Sequence, residues 1–154
     1  LMEKYKHRQN ITAIKIAPHA HMLSPEDEIL VRNEHFQVVR ETKTNTGKDS
    51  SLMLQAGATE VFYVQATDEY LPDAYQELAP YLQSGNLTIC ESGGLRNFIK
   101  PDLFLIIHNS DNSLIKPSAN KLIPLADKLI CRNGDQWDFD IEKIIVEKNR
   151  WFIR

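Results

Sequence analysis

Residues 87–90 (Leu87-Thr88-Ile89-Cys90) and 103–107 (Leu103-Phe104-Leu105-Ile106-Ile107) are short, nearly unbroken apolar runs. Runs of this length, lacking the alternation of a one-sided strand, are what strands buried on both faces require. Four more β-rich runs share the chain with them: Ile11–Ala17, closed by Pro18, then Phe36–Arg40, 60–65 and 128–131. Helix signals fall between these runs. Asp49 is placed to cap a helix through Leu52, Met53 and Leu54, with Gly57 as its C-terminal glycine. Residues 68–82 carry Leu71, Ala74, Tyr75, Leu78, Ala79 and Leu82 at helical spacing, with Pro72 in the first turn, where proline is tolerated. Ser118 is placed to cap a short helix through Leu122 and Leu125. Strands alternating with helices imply an α/β fold, a three-layer sandwich around a mostly parallel sheet.

Residues 19–34 have no such pattern and suggest an exposed polar connection. Residues 144–153 suggest a C-terminal β-hairpin turning at Lys148-Asn149. Repeats, low-complexity tracts and Gly/Ser linkers are missing, so one domain is expected over 1–154, a core of 1–143 with a hairpin tail of 144–154. The 154 residues carry 18 Lys and Arg against 21 Asp and Glu, a formal net charge of -3. Neither nucleic acid nor a membrane surface is an expected partner, because both need a concentrated basic face. The longest apolar run falls well short of the roughly 18–20 residues that span a bilayer. The first residues lack the apolar core and cleavage site of a secretory signal. Cys90 and Cys131 each follow an apolar run and are expected as buried thiols in a reducing cytoplasm.

Chemistry concentrates at strand ends and helix starts. The run ending at Cys90 continues Glu91-Ser92-Gly93-Gly94. In open α/β sheets ligands collect outside the carboxyl ends of strands, and small residues such as Ser92 and Gly93 let them approach the backbone. A solvated strand end followed by a glycine turn accounts for the same residues. After the first strand, Lys15 precedes His19 and His21, a grouping suited to a phosphate or, less readily, a metal. Thr46-Gly47-Lys48-Asp49-Ser50-Ser51 resembles the tail of a phosphate loop but lacks the upstream glycine of a Walker A motif. Lys48 would favour an anion at the helix start, whereas Asp49 would compete for the same donors.

Taken in order, Lys15 with His19 and His21, the block Gly47-Lys48-Asp49-Ser50 followed by Ala56-Gly57-Ala58, and the strand-ending Glu91 resemble the molybdopterin-guanine dinucleotide biosynthesis protein B family. The resemblance covers about residues 1–108. It implies a P-loop-NTPase-like fold and a cytoplasmic GTP-binding accessory protein that tends to dimerise. Such a protein assists a molybdenum cofactor biosynthesis enzyme in attaching a guanine nucleotide. It also implies a cofactor-binding set of Lys15, His19, His21, Lys48, Glu91, Ser92 and Gly93, with Glu91 near the Mg2+ of the nucleotide. The family opens with a strand and Gly-x-x-x-x-Gly-Lys-Ser/Thr, whereas this chain begins within what resembles the following helix. GTP hydrolysis by these residues alone is therefore not expected. Either the loop lies upstream of Leu1, or the chain is a non-catalytic anion-binding or scaffold module that docks onto a partner enzyme. A small metal-dependent hydrolase using His19, His21 and Glu91 is the remaining and weakest reading.

Overall fold

A computed structural model describes residues 1–19, 22–110 and 117–154. The chain packs as two compact units, Leu1–Leu95 and Arg96–Arg154.

The first unit contains a helical turn Met2–Tyr5 (α1), then Ile11–Ala17 (β1), Glu28–Arg32 (β2), Phe36–Arg40 (β3), Asp49–Gln55 (α2), Glu60–Ala66 (β4), Leu71–Leu78 (α3) and Leu87–Glu91 (β5). Its single sheet has the order β2-β3-β4-β1-β5. β1 pairs in parallel with β4 and with β5, while β2–β3 and β3–β4 are antiparallel. Only residues 33–35 join β2 to β3, too few for a parallel crossover, so that pair must be a hairpin. The core lies along β1 and β4, where Ile11, Ala13, Ile14, Val61 and Phe62 are fully buried. Helix α2 packs on β4 and β1, and α3 on β3 and β4, burying Leu71, Ala74 and Leu78.

The second unit pairs Leu105–Asn109 (β6) in parallel with Lys128–Asn133 (β7), and β7 antiparallel with Gln136–Trp137 (β8). A one-turn helix, Pro117–Asn120 (α4), precedes β7. Ile144–Glu147 (β9) and Arg150–Ile153 (β10) form an antiparallel pair, and the chain turns between them at Lys148 and Asn149 with φ of 50° and 59°. Positive φ at both central residues gives a two-residue turn the twist of its flanking strands. Ile106, Leu122, Ile130, Ile144 and Trp151 are buried in this unit.

The α/β three-layer sandwich with a mostly parallel, P-loop-NTPase-like sheet expected from the sequence is not what forms. Among the described residues, ten strands in mixed and antiparallel sheets dominate, with 23% helix. The longest helix, α3, has eight residues, and a 3-10 turn, Ala79–Tyr81, replaces the rest of the periodic stretch where Pro80 falls. Residues 19–34, read as a connection, contain β2. The run 87–90 is not buried on both faces, since β5 is an edge strand on which Leu87 is buried and Thr88, Cys90 and Glu91 are exposed. Cys90 lies exposed on that edge, although its surroundings still bury the thiol enough to push its pKa up to about 12, and Cys131 is half-buried. Ser118 lies inside α4 rather than capping a helix through Leu125.

Phe62 occupies the centre of the first unit, so Phe62→Ala is expected to cost about 3–5 kcal/mol. The exposed Leu52 of α2 should tolerate alanine within about 0.5 kcal/mol. Amide hydrogen exchange of β1 under native conditions measures both, and equal protection losses would refute this assignment of the core.

Candidate functional site

Lys15 is the only charged residue of β1, four positions into a strand whose preceding residues are all buried. Strand register sets it beside Tyr63 of β4 and Glu91 of β5. Side chains of paired residues in neighbouring strands share a face, and α2 packs over this end of the sheet with Asp49 in its first turn. The Lys15 ammonium meets Asp49 Oδ2 at 2.7 Å and Glu91 Oε1 at 2.5 Å. The lysine side chain is 17% exposed, against 58% and 57% for the two carboxylates. The triad therefore holds a mostly covered cation between two carboxylates that still reach water.

Burial disfavours the charged form of Lys15, but hydrogen bonds and charge attraction from Asp49 and Glu91 outweigh it, so its pKa lies above the ordinary value. Tyr63 is shifted upward as well, mainly by burial, with a hydrogen bond from its neighbour Gln65 acting in the opposite sense. Gln65 accepts a hydrogen bond from Gln37 Nε2 of β3, extending the polar row to a fourth strand.

The loop before α2 is tied down by its own side chains. Ser50 Oγ donates to Glu41 Oε2 at 2.7 Å, and Ser51 Oγ accepts from Thr46 N–H at 3.2 Å. Both serines are buried, and these bonds satisfy hydroxyls that would otherwise be costly there. After β5, Ser92 Oγ accepts from the N–H groups of Gly94 and Leu95 at 3.2 and 3.0 Å, closing a local turn. A Cβ on Gly94 would come within 2.4 Å of Asp68 Oδ1, so Gly94 lets β5's exit pass close to the start of the α3 segment. Gly93 faces open space.

Of the residues singled out from sequence, the fold brings Lys15 and Glu91 into direct contact. Lys48 is exposed at the N-cap of α2, one residue from Asp49. His19 is exposed beyond the end of β1 and enters none of these contacts, and His21 lies outside the described residues. Asp49 is not the helix cap expected of it. Lys48 holds that position without a side-chain cap bond, and Asp49, the first helical residue, turns its carboxylate to Lys15 instead. An ammonium partner is worth more to a carboxylate than a shared backbone N–H. Sequence reasoning overlooked Asp49 as a site residue, along with Tyr63, Gln65 and Gln37. For Tyr63, Gln65 and Gln37 the signal was the polar interruption at period two in otherwise apolar strands; Asp49 carried none beyond its place at a helix start.

No three or more His, Cys, Asp or Glu side chains gather into a metal-binding group among the described residues. Among the same residues, no helix is long and apolar enough to cross a membrane. Comparison of the chain with protein-family models, with curated proteins and with solved structures finds no match in any of the three.

Each carboxylate is more than half exposed, so each ion pair is worth roughly 0.2–1 kcal/mol. A raised lysine pKa stabilises the fold fully below the unfolded value of 10.5 and ceases to do so as pH climbs through the folded value. Replacement by a neutral side chain of similar length, Lys15→Met, should therefore leave a stability deficit that is constant near neutrality and changes only above about pH 10.5. Urea denaturation of both proteins from pH 7 to 11.5 tests this, and a deficit that varied between pH 7 and 9 would contradict it.

Proposed function

We propose that the first unit is a nucleotide-binding module that takes a guanine nucleotide with Mg2+ at the carboxyl ends of β1, β4 and β5. In this reading it serves as a cytoplasmic accessory to an enzyme of molybdenum cofactor biosynthesis. The carrying observation is the Lys15 ammonium held between Asp49 and Glu91 where the parallel strands end. Ligand sites favour that end of parallel strands. The residue order shared with the molybdopterin-guanine dinucleotide family supplies the nucleotide and the pathway.

One ammonium and two carboxylates leave the triad with a net charge of -1. A bare polyphosphate is repelled by that charge, whereas a magnesium complex is not. Mg2+ is commonly held by one or two carboxylates together with phosphate oxygens and water, and Asp49 and Glu91 fit that donor set. Lys15 would then meet the phosphates as a point charge, with Lys48 beside it. The metal, when bound, neutralises phosphate charge. The chain's own residues bind and orient.

Binding without turnover is favoured over hydrolysis by one feature. The Ser50 hydroxyl gives its proton to Glu41, and the hydroxyls of Ser51 and Ser92 are held in place by the N–H groups they accept, so all three already serve the local turns. A scaffold that docks onto its partner enzyme, as a homodimer or singly, fits that arrangement.

Calorimetric titration with GTP should give a saturable signal with Mg2+ and little without it. Glu91→Gln and Lys15→Gln should each weaken binding about tenfold or more, the loss of roughly one charge-assisted contact. No heat in either condition, or full affinity in both variants, would sink the proposal.

A further inference from the structure

At the opposite, amino-terminal ends of β1 and β5 lies a concavity of about 360 Å³. Three consecutive cationic or titratable side chains, Lys6, His7 and Arg8, line it together with Gln9, Asn10 and Asn86. The backbone there is well fixed. Lys6 N–H donates to Met2 O at 2.9 Å, and the N–H groups of Arg8 and Gln9 both donate to Tyr5 O, at 2.8 and 3.1 Å. The far wall is tied to the sheet, since Leu87 N–H donates to Asn10 O at 2.9 Å and Asn86 Nδ2 to the buried Thr12 Oγ1 at 3.2 Å. The Lys6 stem is seated over Gly57, where a Cβ would come within 2.5 Å of Lys6 Cδ. Lysine and arginine stems laid on a surface in this way leave their charged heads in water.

Two further facts give the cleft a sign. Its lining contains no acidic residue, although Asp and Glu outnumber Lys and Arg in the chain by 21 to 18. Nor do Lys6 and Arg8 have a carboxylate partner among the described residues, whereas Lys15, Arg40, Lys43, Arg132 and Arg150 all do. Uncompensated cations beside fixed amide groups form a donor-rich, positive concavity in an otherwise acidic protein. We propose that this cleft is an anion site for a small phosphate-bearing ligand, with Arg8 and Lys6 supplying charge and the His7 ring and the Gln9, Asn10 and Asn86 amides supplying hydrogen-bond donors. About 360 Å³ suits a phosphate group with a small substituent. It is separated from Lys15 by the five residues from Asn10 along β1, roughly 16 Å at about 3.3 Å per residue, so it does not depend on the nucleotide reading of that end.

Amide chemical shifts followed during titration with inorganic phosphate test the proposal, with chloride at matched ionic strength as the second arm. The expected result is a saturable change at residues 6–10 and 85–86 that chloride does not reproduce. Lys6→Gln combined with Arg8→Gln should weaken it about tenfold or more, and Arg8→Gln alone by less. Lys48→Gln, at the other end of the sheet, should leave it unchanged. Three results would each overturn the site: no saturable change, the same change with chloride, or unaltered phosphate binding in the double variant with its remaining spectrum intact.

Discussion

β1 is flanked by β4 on one side and β5 on the other, and both ladders run parallel to it. Parallel neighbours need long connections. The chain therefore leaves β1 through the β2–β3 hairpin and α2 before returning as β4, then crosses by α3 to reach β5. Those detours put α2 over one end of the ladder. The register then sets Lys15, Tyr63 and Glu91 in one row beneath it, and the candidate site follows from that pairing. A shift of one residue in either ladder would turn Glu91 or Tyr63 to the other face and leave Lys15 without its partner.

The electrostatics of that row decide what it can bind. A lysine without a carboxylate partner would attract an anion, but this one is bracketed by Asp49 and Glu91 and its charge is more than matched. The same acidic surplus makes a metal-complexed phosphate the better guest at the carboxyl ends. At the amino ends Lys6 and Arg8 have no carboxylate partner among the described residues, and a free anion is favoured. The two ends of one sheet thus present opposite electrostatic conditions, although the chain as a whole is only mildly acidic.

Much of the first unit's strand content was legible in the chain. Ile11–Ala17 and Phe36–Arg40 are strands as their apolar patterns imply, because burial of β-branched residues on a pleated surface is a local, compositional property. Pairing direction was not legible. The alternation of strands with helical periodicity implied a parallel, helix-covered sheet, yet the short 33–35 connection and the unrecognised β2 made half of the sheet antiparallel. Helical spacing over 68–82 overstated α3, since Pro80 ends regular α geometry within that stretch. At the site, Lys15 and Glu91 stood out as charges in apolar strands. Asp49 did not, because a carboxylate opening a helix is explained locally by capping, and nothing along the chain signals that a strand lysine will draw it away.

The sequence by itself determined which segments are extended and apolar, where the hairpin turn at Lys148-Asn149 falls, and that Lys15 and Glu91 are polar exceptions within strands. These are properties of one residue and its immediate neighbours, fixed by side-chain shape and period. Only the tertiary structure decided that Glu91 lies on an edge strand, that Asp49 completes an ion triad rather than a cap, and that Lys6, His7 and Arg8 border a cleft without acid. Each depends on which segments pair and in what register. That is a long-range choice, made by burying the most apolar surface at once, which no single stretch of chain encodes.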